Sequence, residues 1–129
     1  MTQGLLSKLG PEYSLRLVDP EDVEGCITAD VAAVLLTHVD YRTGRLHDMK
    51  KITARTQAAG AVSIWDLAHS AGAMPIDIRG CHAEFAVGCT YKYLNGGSGA
   101  PAFIYVRSDL SDEVDPILAG WMGHARSSE

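Results

Sequence analysis

The chain has 129 residues and a mass of 13.8 kDa, enough for one domain with a hydrophobic core. It is 47% hydrophobic and 21% charged with a net charge of -5, which argues against nucleic acid or an acidic membrane as partner, because both select a basic face. No apolar run approaches a bilayer span, MTQGLLSKLG lacks the cationic start and apolar stretch of a signal peptide, and Cys26, Cys81 and Cys89 form no CxxC pair, so a cytoplasmic protein with free thiols and no metal site is expected.

In chain order, Thr2 to Leu9 reads as the tail of a helix, with Leu5, Leu6 and Leu9 on one face. Leu15 to Val18 alternates briefly and predicts a strand. Val31 to Thr37 (VAAVLLT) is a continuous apolar run, as expected of a strand covered on both faces. After a turn at Arg42-Thr43-Gly44, Asp48 is a plausible N-cap for a helix. Met49, Ile52 and Thr56 recur along it at helical spacing, and Gly60 closes it. Ala61 to Trp65 predicts a second buried strand with Asp66 at its carboxyl end. A short helical piece over Ala68 to Ala73 then leads to Pro75 and an IDI segment. Phe85 to Gly88 and Ala102 to Val106 predict two further strands around the glycine-rich YLNGGSGAP.

Strand, helix and strand with buried runs make a βαβ unit, and so an α/β fold with a mostly parallel sheet flanked by helices. Neither a repeat nor an interdomain linker is visible. Both ends read as cut: the chain opens on a helix tail and stops at Ser127-Ser128-Glu129, just after a structured-looking GWMGHA. Residues 1–129 are therefore expected to be one incomplete domain.

In such sheets ligands collect beyond the carboxyl ends of the strands. Thr37, Asp66 and the Thr90-Tyr91-Lys92 step all fall there. A carboxylate ending an apolar strand is costly unless a donor or cation meets it. Asp66 either caps the following turn through the amides of Ala68 or His69, or pairs with a ligand cation. Lys92 lies in a stretch of aromatic, small and glycine residues, where desolvation disfavours its charge and frees an amine for Schiff-base chemistry; the plain alternative is a snorkelling surface lysine. Gly96, Gly97 and Gly99 let backbone pass close to a ligand, or simply mark a turn.

The combination is sharper than its parts: an Asp closing a buried strand, then a Lys at 92 entering a glycine-rich bend. The segments LLTHVDYRTGRLHDM, WDLAHSAGAMPIDI, FAVGCTYKYLNGGSGAPAFIYV and AGWMGH, from about Tyr13 to His124, resemble those of bacterial kynureninases in order and spacing. The resemblance implies part of the large domain of a fold-type-I enzyme dependent on pyridoxal 5'-phosphate (PLP), without the upstream phosphate loop or the downstream small domain. It implies that Lys92 holds PLP covalently and shuttles protons, that Asp66 pairs with the pyridinium nitrogen, and that His69 lies beside the cofactor. Tyr91 would bond the phosphate and serve as an acid, Trp121 would reach the phosphate from a neighbouring subunit, and Thr37 would face the ring-oxygen side.

The implied reaction is hydrolysis of the amino acid L-kynurenine, or its 3-hydroxy form, to anthranilate or 3-hydroxyanthranilate and L-alanine, in tryptophan catabolism and NAD biosynthesis, by a homodimer. Alternatives are an inactive remnant of such an enzyme, or part of another PLP lyase such as a cysteine desulfurase. Taken singly, His69 reads as a structural histidine and Trp121 as a core or interface aromatic. His124 is either a substrate contact or a turn cap. His38 and Asp40 read as solvated loop residues.

Overall fold

The computed structural model describes residues 2–114. Helix α1 spans Thr2–Leu9, a short α2 spans Val23–Cys26, and α3 spans Met49–Ala58. Strands β1 (Ala33–Thr37), β2 (Val62–Asp66), β3 (Phe85–Cys89) and β4 (Ala102–Val106) follow one another across a single sheet in the order β1-β2-β3-β4. The first three strands are parallel and β4 runs antiparallel to β3. This is the mostly parallel α/β arrangement that the alternation of apolar runs with one helical period dictates.

Helix α3 begins where its cap residue stands: the Asp48 carboxylate accepts from Lys51 N at 2.9 Å, which satisfies one of the amides that a first turn leaves open. It ends before Gly60, whose φ of 81° is open to glycine at little cost. Met49, Ile52, Thr53 and Thr56 form its buried face. That face packs on one side of the sheet, where Trp65 and Ala86 are buried and Val34, Leu36, Phe103 and Tyr105 pack against them. The Trp65 indole N–H donates to Thr53 Oγ1 at 3.0 Å, so the largest core side chain keeps a polar partner. At Gly88 an added Cβ would lie 2.3 Å from the Phe103 ring, so only glycine leaves room for that ring against β3.

Glu84, just before β3, is 5% exposed. It accepts from Ser63 N at 3.2 Å, from Ser63 Oγ and from Gln57 Nε2 at 2.5 Å, and Arg107 stands 3.9 Å away. One carboxylate thus ties α3, β2 and the end of β4 together at the amino ends of the parallel strands.

The other sheet face differs from expectation. The runs were expected to be covered on both sides, yet Leu35 is 54% and Ile104 78% exposed, with Val62 and Val87 also exposed. Register places Leu35, Ile64, Phe85 and Val106 in one row of that face. Sequence records that both faces are apolar; which helices cover them depends on the rest of the fold.

Two local expectations fail. Leu15 to Val18 is no strand, and Leu17 is 82% exposed. Alternation over four residues suits any extended segment, whereas a strand needs a partner ladder. Ala68 to Ala73 forms successive turns rather than a helix, through Ala71 N to Leu67 O at 2.9 Å and Ala73 N to Ser70 O at 3.0 Å. Gly72, with φ of 83°, breaks any continuing helix there.

Candidate functional site

At the carboxyl end of the parallel strands, Thr37 and Asp66 are register partners, and Asp66 is in turn opposite Val87. Their side chains therefore share the less covered face, since the pleat sends alternate residues to opposite sides. Asp66 is half-buried and its Oδ1 accepts from Ala68 N at 2.9 Å. That is the capping bond anticipated, although turns and not a helix follow. Thr37 Oγ1 donates to Val39 O at 2.9 Å.

The segment after β3 carries Tyr91 and Lys92. It is a folded turn: Gly96 N bonds Thr90 O at 2.8 Å, Asn95 N bonds Lys92 O at 3.0 Å, and Thr90 Oγ1 donates to Pro101 O at 2.5 Å. Lys92 is half-buried, and its Nζ lies 2.9 Å from His69 Nε2 and 5.5 Å from the Tyr91 ring centroid. The Tyr91 side chain is 50% exposed. Gly72 brings the His69 turn and the lysine loop together: a Cβ there would meet Tyr93 O at 2.6 Å, so only glycine permits this approach.

Between β1 and α3 the chain folds back as a small hairpin closed by a Val39–Leu46 bridge. Its base is anchored by His38 N to Asp66 O at 2.9 Å and His47 N to His38 O at 3.0 Å. Asp40 braces it, its carboxylate accepting from Arg42 N at 2.7 Å while its amide bonds Arg45 O at 2.9 Å. The expectation that His38 is a solvated loop residue is overturned. His38 is 6% and His47 8% exposed, because the hairpin folds its base onto Trp65, whose ring meets His38 edge-on at 5.9 Å. Burial, and then the charge of His47, lowers the pKa of His38. Burial and then Arg45 lower that of His47, against smaller opposing effects of Asp40 and Glu21. His38 Nδ1 has no hydrogen-bond partner among the described residues.

At the hairpin tip Tyr41 stacks on His69, with centroids 5.4 Å apart and planes at 26°. Sequence reasoning passed over Tyr41. A tyrosine in a polar loop carries no local signal of this contact.

A cleft of about 930 Å³ reaches Leu35, Thr37, Ile64 and Val87 on the open face, and Asp66, His69 and Lys92 are not part of its lining. Trp121 and His124 lie outside the described residues. Cys26, Cys81 and Cys89 are free thiols, and no cluster of three or more His, Cys, Asp or Glu suited to a metal occurs among the described residues. No described helix is long and apolar enough to cross a membrane. What the site offers is an amine, a carboxylate, an imidazole and two hydroxyls at neighbouring strand ends. An amine suits a carbonyl electrophile, and a carboxylate suits a protonated ring nitrogen. The donor set fits PLP.

The model of the aminotransferase class-V family matches residues 10–126. A kynureninase of Pseudomonas fluorescens is 52% identical over 127 residues, covering 98% of this chain and 30% of the relative. A kynureninase of Burkholderia mallei (strain SAVP1) is 49% identical over 125 residues, covering 96% and 30%. The chain thus spans 30% of the length of these curated relatives. Among solved structures, the apo structure of a cysteine desulfurase from Thermococcus onnurineus NA1 superposes with a TM-score of 0.73 at 27% identity, covering 92% of this chain and 31% of that one.

Proposed function

Because this chain belongs to the class-V aminotransferase family, we propose that it is the lysine-bearing central portion of the large domain of a kynureninase-type, PLP-dependent hydrolase. The observation that carries this reading is the Lys92 amine held 2.9 Å from His69 Nε2, with His69 on the turn that follows the Asp66 strand end. The resemblance to kynureninases at 52% and 49% identity narrows the reaction. The cysteine desulfurase likeness, at 27%, supports the fold with less weight on the chemistry.

When bound, PLP supplies an electron sink for breaking a carbon–carbon bond. Lys92 Nζ is the amine that would hold the cofactor, and it would move the substrate α-proton. His69 Nε2 holds that amine in place. The Asp66 carboxylate would pair with the ring nitrogen of the cofactor, and the Asp66 backbone carbonyl anchors the hairpin beside the site. Thr37 offers a hydroxyl from the adjacent strand end. The Tyr91 phenol, exposed beside the lysine, would bond the phosphate and would supply a proton to the departing carbon. Trp121 is assigned the phosphate through its indole N–H. The substrate proposed is the amino acid kynurenine or its 3-hydroxy form, in tryptophan catabolism, with the working enzyme a cytoplasmic homodimer.

The test is to add PLP to the chain, reduce with borohydride and map the modified lysine by mass spectrometry. Trapping at Lys92, lost in Lys92→Ala, is expected. Trapping spread evenly over the surface lysines would sink the assignment.

A further inference from the structure

We infer that Tyr41 is a positioning residue for the Lys92 amine, acting through His69. The inference rests on the reading above that Lys92 is the reactive amine, and it adds a residue from a hairpin with no other part in the site.

His69 has one polar contact among the described residues, the bond between its Nε2 and Lys92 Nζ. A single hydrogen bond leaves an imidazole free to turn about its ring axis, because sp³–sp² torsions are broad. The Tyr41 ring lies nearly parallel to it at 5.4 Å, which restricts that rotation. Tyr41 is itself held, since its hairpin is closed by the Val39–Leu46 bridge and braced by the Asp40 to Arg45 bond. The hairpin base is bonded to the backbone of Asp66, whose carboxylate belongs to the same site. Tyr41 is nevertheless 74% exposed, so core packing does not explain its orientation; its ring contact is with the imidazole. A continuous path therefore runs from the end of β2, through the hairpin and two stacked rings, to the amine. Lys92 Nζ donates to Nε2 in the tautomer that carries the ring proton on Nδ1. The stacked ring keeps that acceptor pointed at the amine.

The probe is acetic anhydride, applied to the whole chain without cofactor, with acetylation of Lys92 measured against exposed Lys50 in the same sample. Losing one hydrogen bond should change the Lys92-to-Lys50 ratio by about fivefold in His69→Ala. Tyr41→Ala is expected to reproduce most of that change in the same direction. Tyr41→Phe, which keeps the ring, should stay at the wild-type ratio, and Tyr41→Leu, which keeps bulk without a ring face, should follow Ala. In the Tyr41→Ala, His69→Ala pair the second change should add nothing, because both act on one contact.

An unchanged ratio in His69→Ala or in Tyr41→Ala overturns the inference, as does a Leu variant that behaves like wild type. Multiplying effects in the double variant overturn it too. Failure to trap PLP at Lys92 would instead remove the cofactor reading and leave this cycle standing, so the two can fail separately.

Discussion

His38 and His47 illustrate how burial turns side chains that look solvated into acid-sensitive ones. Both have pKa values pushed below the ordinary 6.5, in each case by burial first. The folded state therefore resists protonation that the unfolded chain accepts. Their contribution to stability is complete above about 6.5 and is lost as pH falls from there through the lowered folded values. Thermal unfolding followed from pH 8 to pH 5 should show a steeper acid loss in wild type than in His38→Leu. Equal slopes would mean that the pair is indifferent to charge. Asp66 makes a different prediction. The proposed function pairs its carboxylate with the ring nitrogen, so Asp66→Ala should weaken PLP binding by about tenfold or more, the worth of one charge-assisted bond. An equilibrium titration reads this directly, and unchanged affinity would detach Asp66 from the cofactor.

Among elements, α3 and β2 are joined by the indole of Trp65 and the hydroxyl of Thr53, both buried. Thr53→Val keeps the shape and removes the acceptor, leaving a buried N–H unpaired. A loss of about 1–3 kcal/mol in denaturant unfolding is expected. At the other end of the sheet Glu84 accepts from Ser63 and Gln57. Glu84→Ala should cost a similar amount, about 1–3 kcal/mol, without altering borohydride trapping at Lys92, because the network lies at the amino ends of the strands. Trapping that falls with Glu84→Ala would show the two ends to be coupled. The helix cap at Asp48, the core stripe Met49, Ile52 and Thr56, and four strands were legible beforehand because each is a local pattern. The failed strand at Leu15 to Val18 and failed helix at Ala68 to Ala73 were not, because short patterns are decided by available partners and by Gly72.

Considered whole, the molecule presents an apolar sheet face, with Leu35 and Ile104 exposed, and an open site whose lysine is only half-buried. The kynureninase relatives are about threefold longer than the region they share with it. We expect the groups that grip the phosphate and the substrate carboxylate to lie largely outside the described residues. The isolated chain should thus turn over kynurenine at least about a hundredfold more slowly than a full-length relative, since positioning is a large share of the rate. An anthranilate fluorescence assay decides this, and comparable rates would refute it. Ile104→Thr should change stability in denaturant unfolding by less than about 0.5 kcal/mol, because that side chain is mostly exposed here.

Sequence alone determined the α/β class, the mostly parallel strands and the capped helix, because hydrophobic period and cap chemistry are written along the chain; it offered Thr37, Asp66 and the Tyr91-Lys92 step as candidates from their strand-end positions, and the resemblance added His69 and Trp121. It could not reveal that His38 is buried, that Tyr41 lies on His69, or that one sheet face stands open. Those depend on which segments meet in space, and the meetings are set by the close approach at Gly72, the hairpin anchored on Asp66 and the helix available to cover each face.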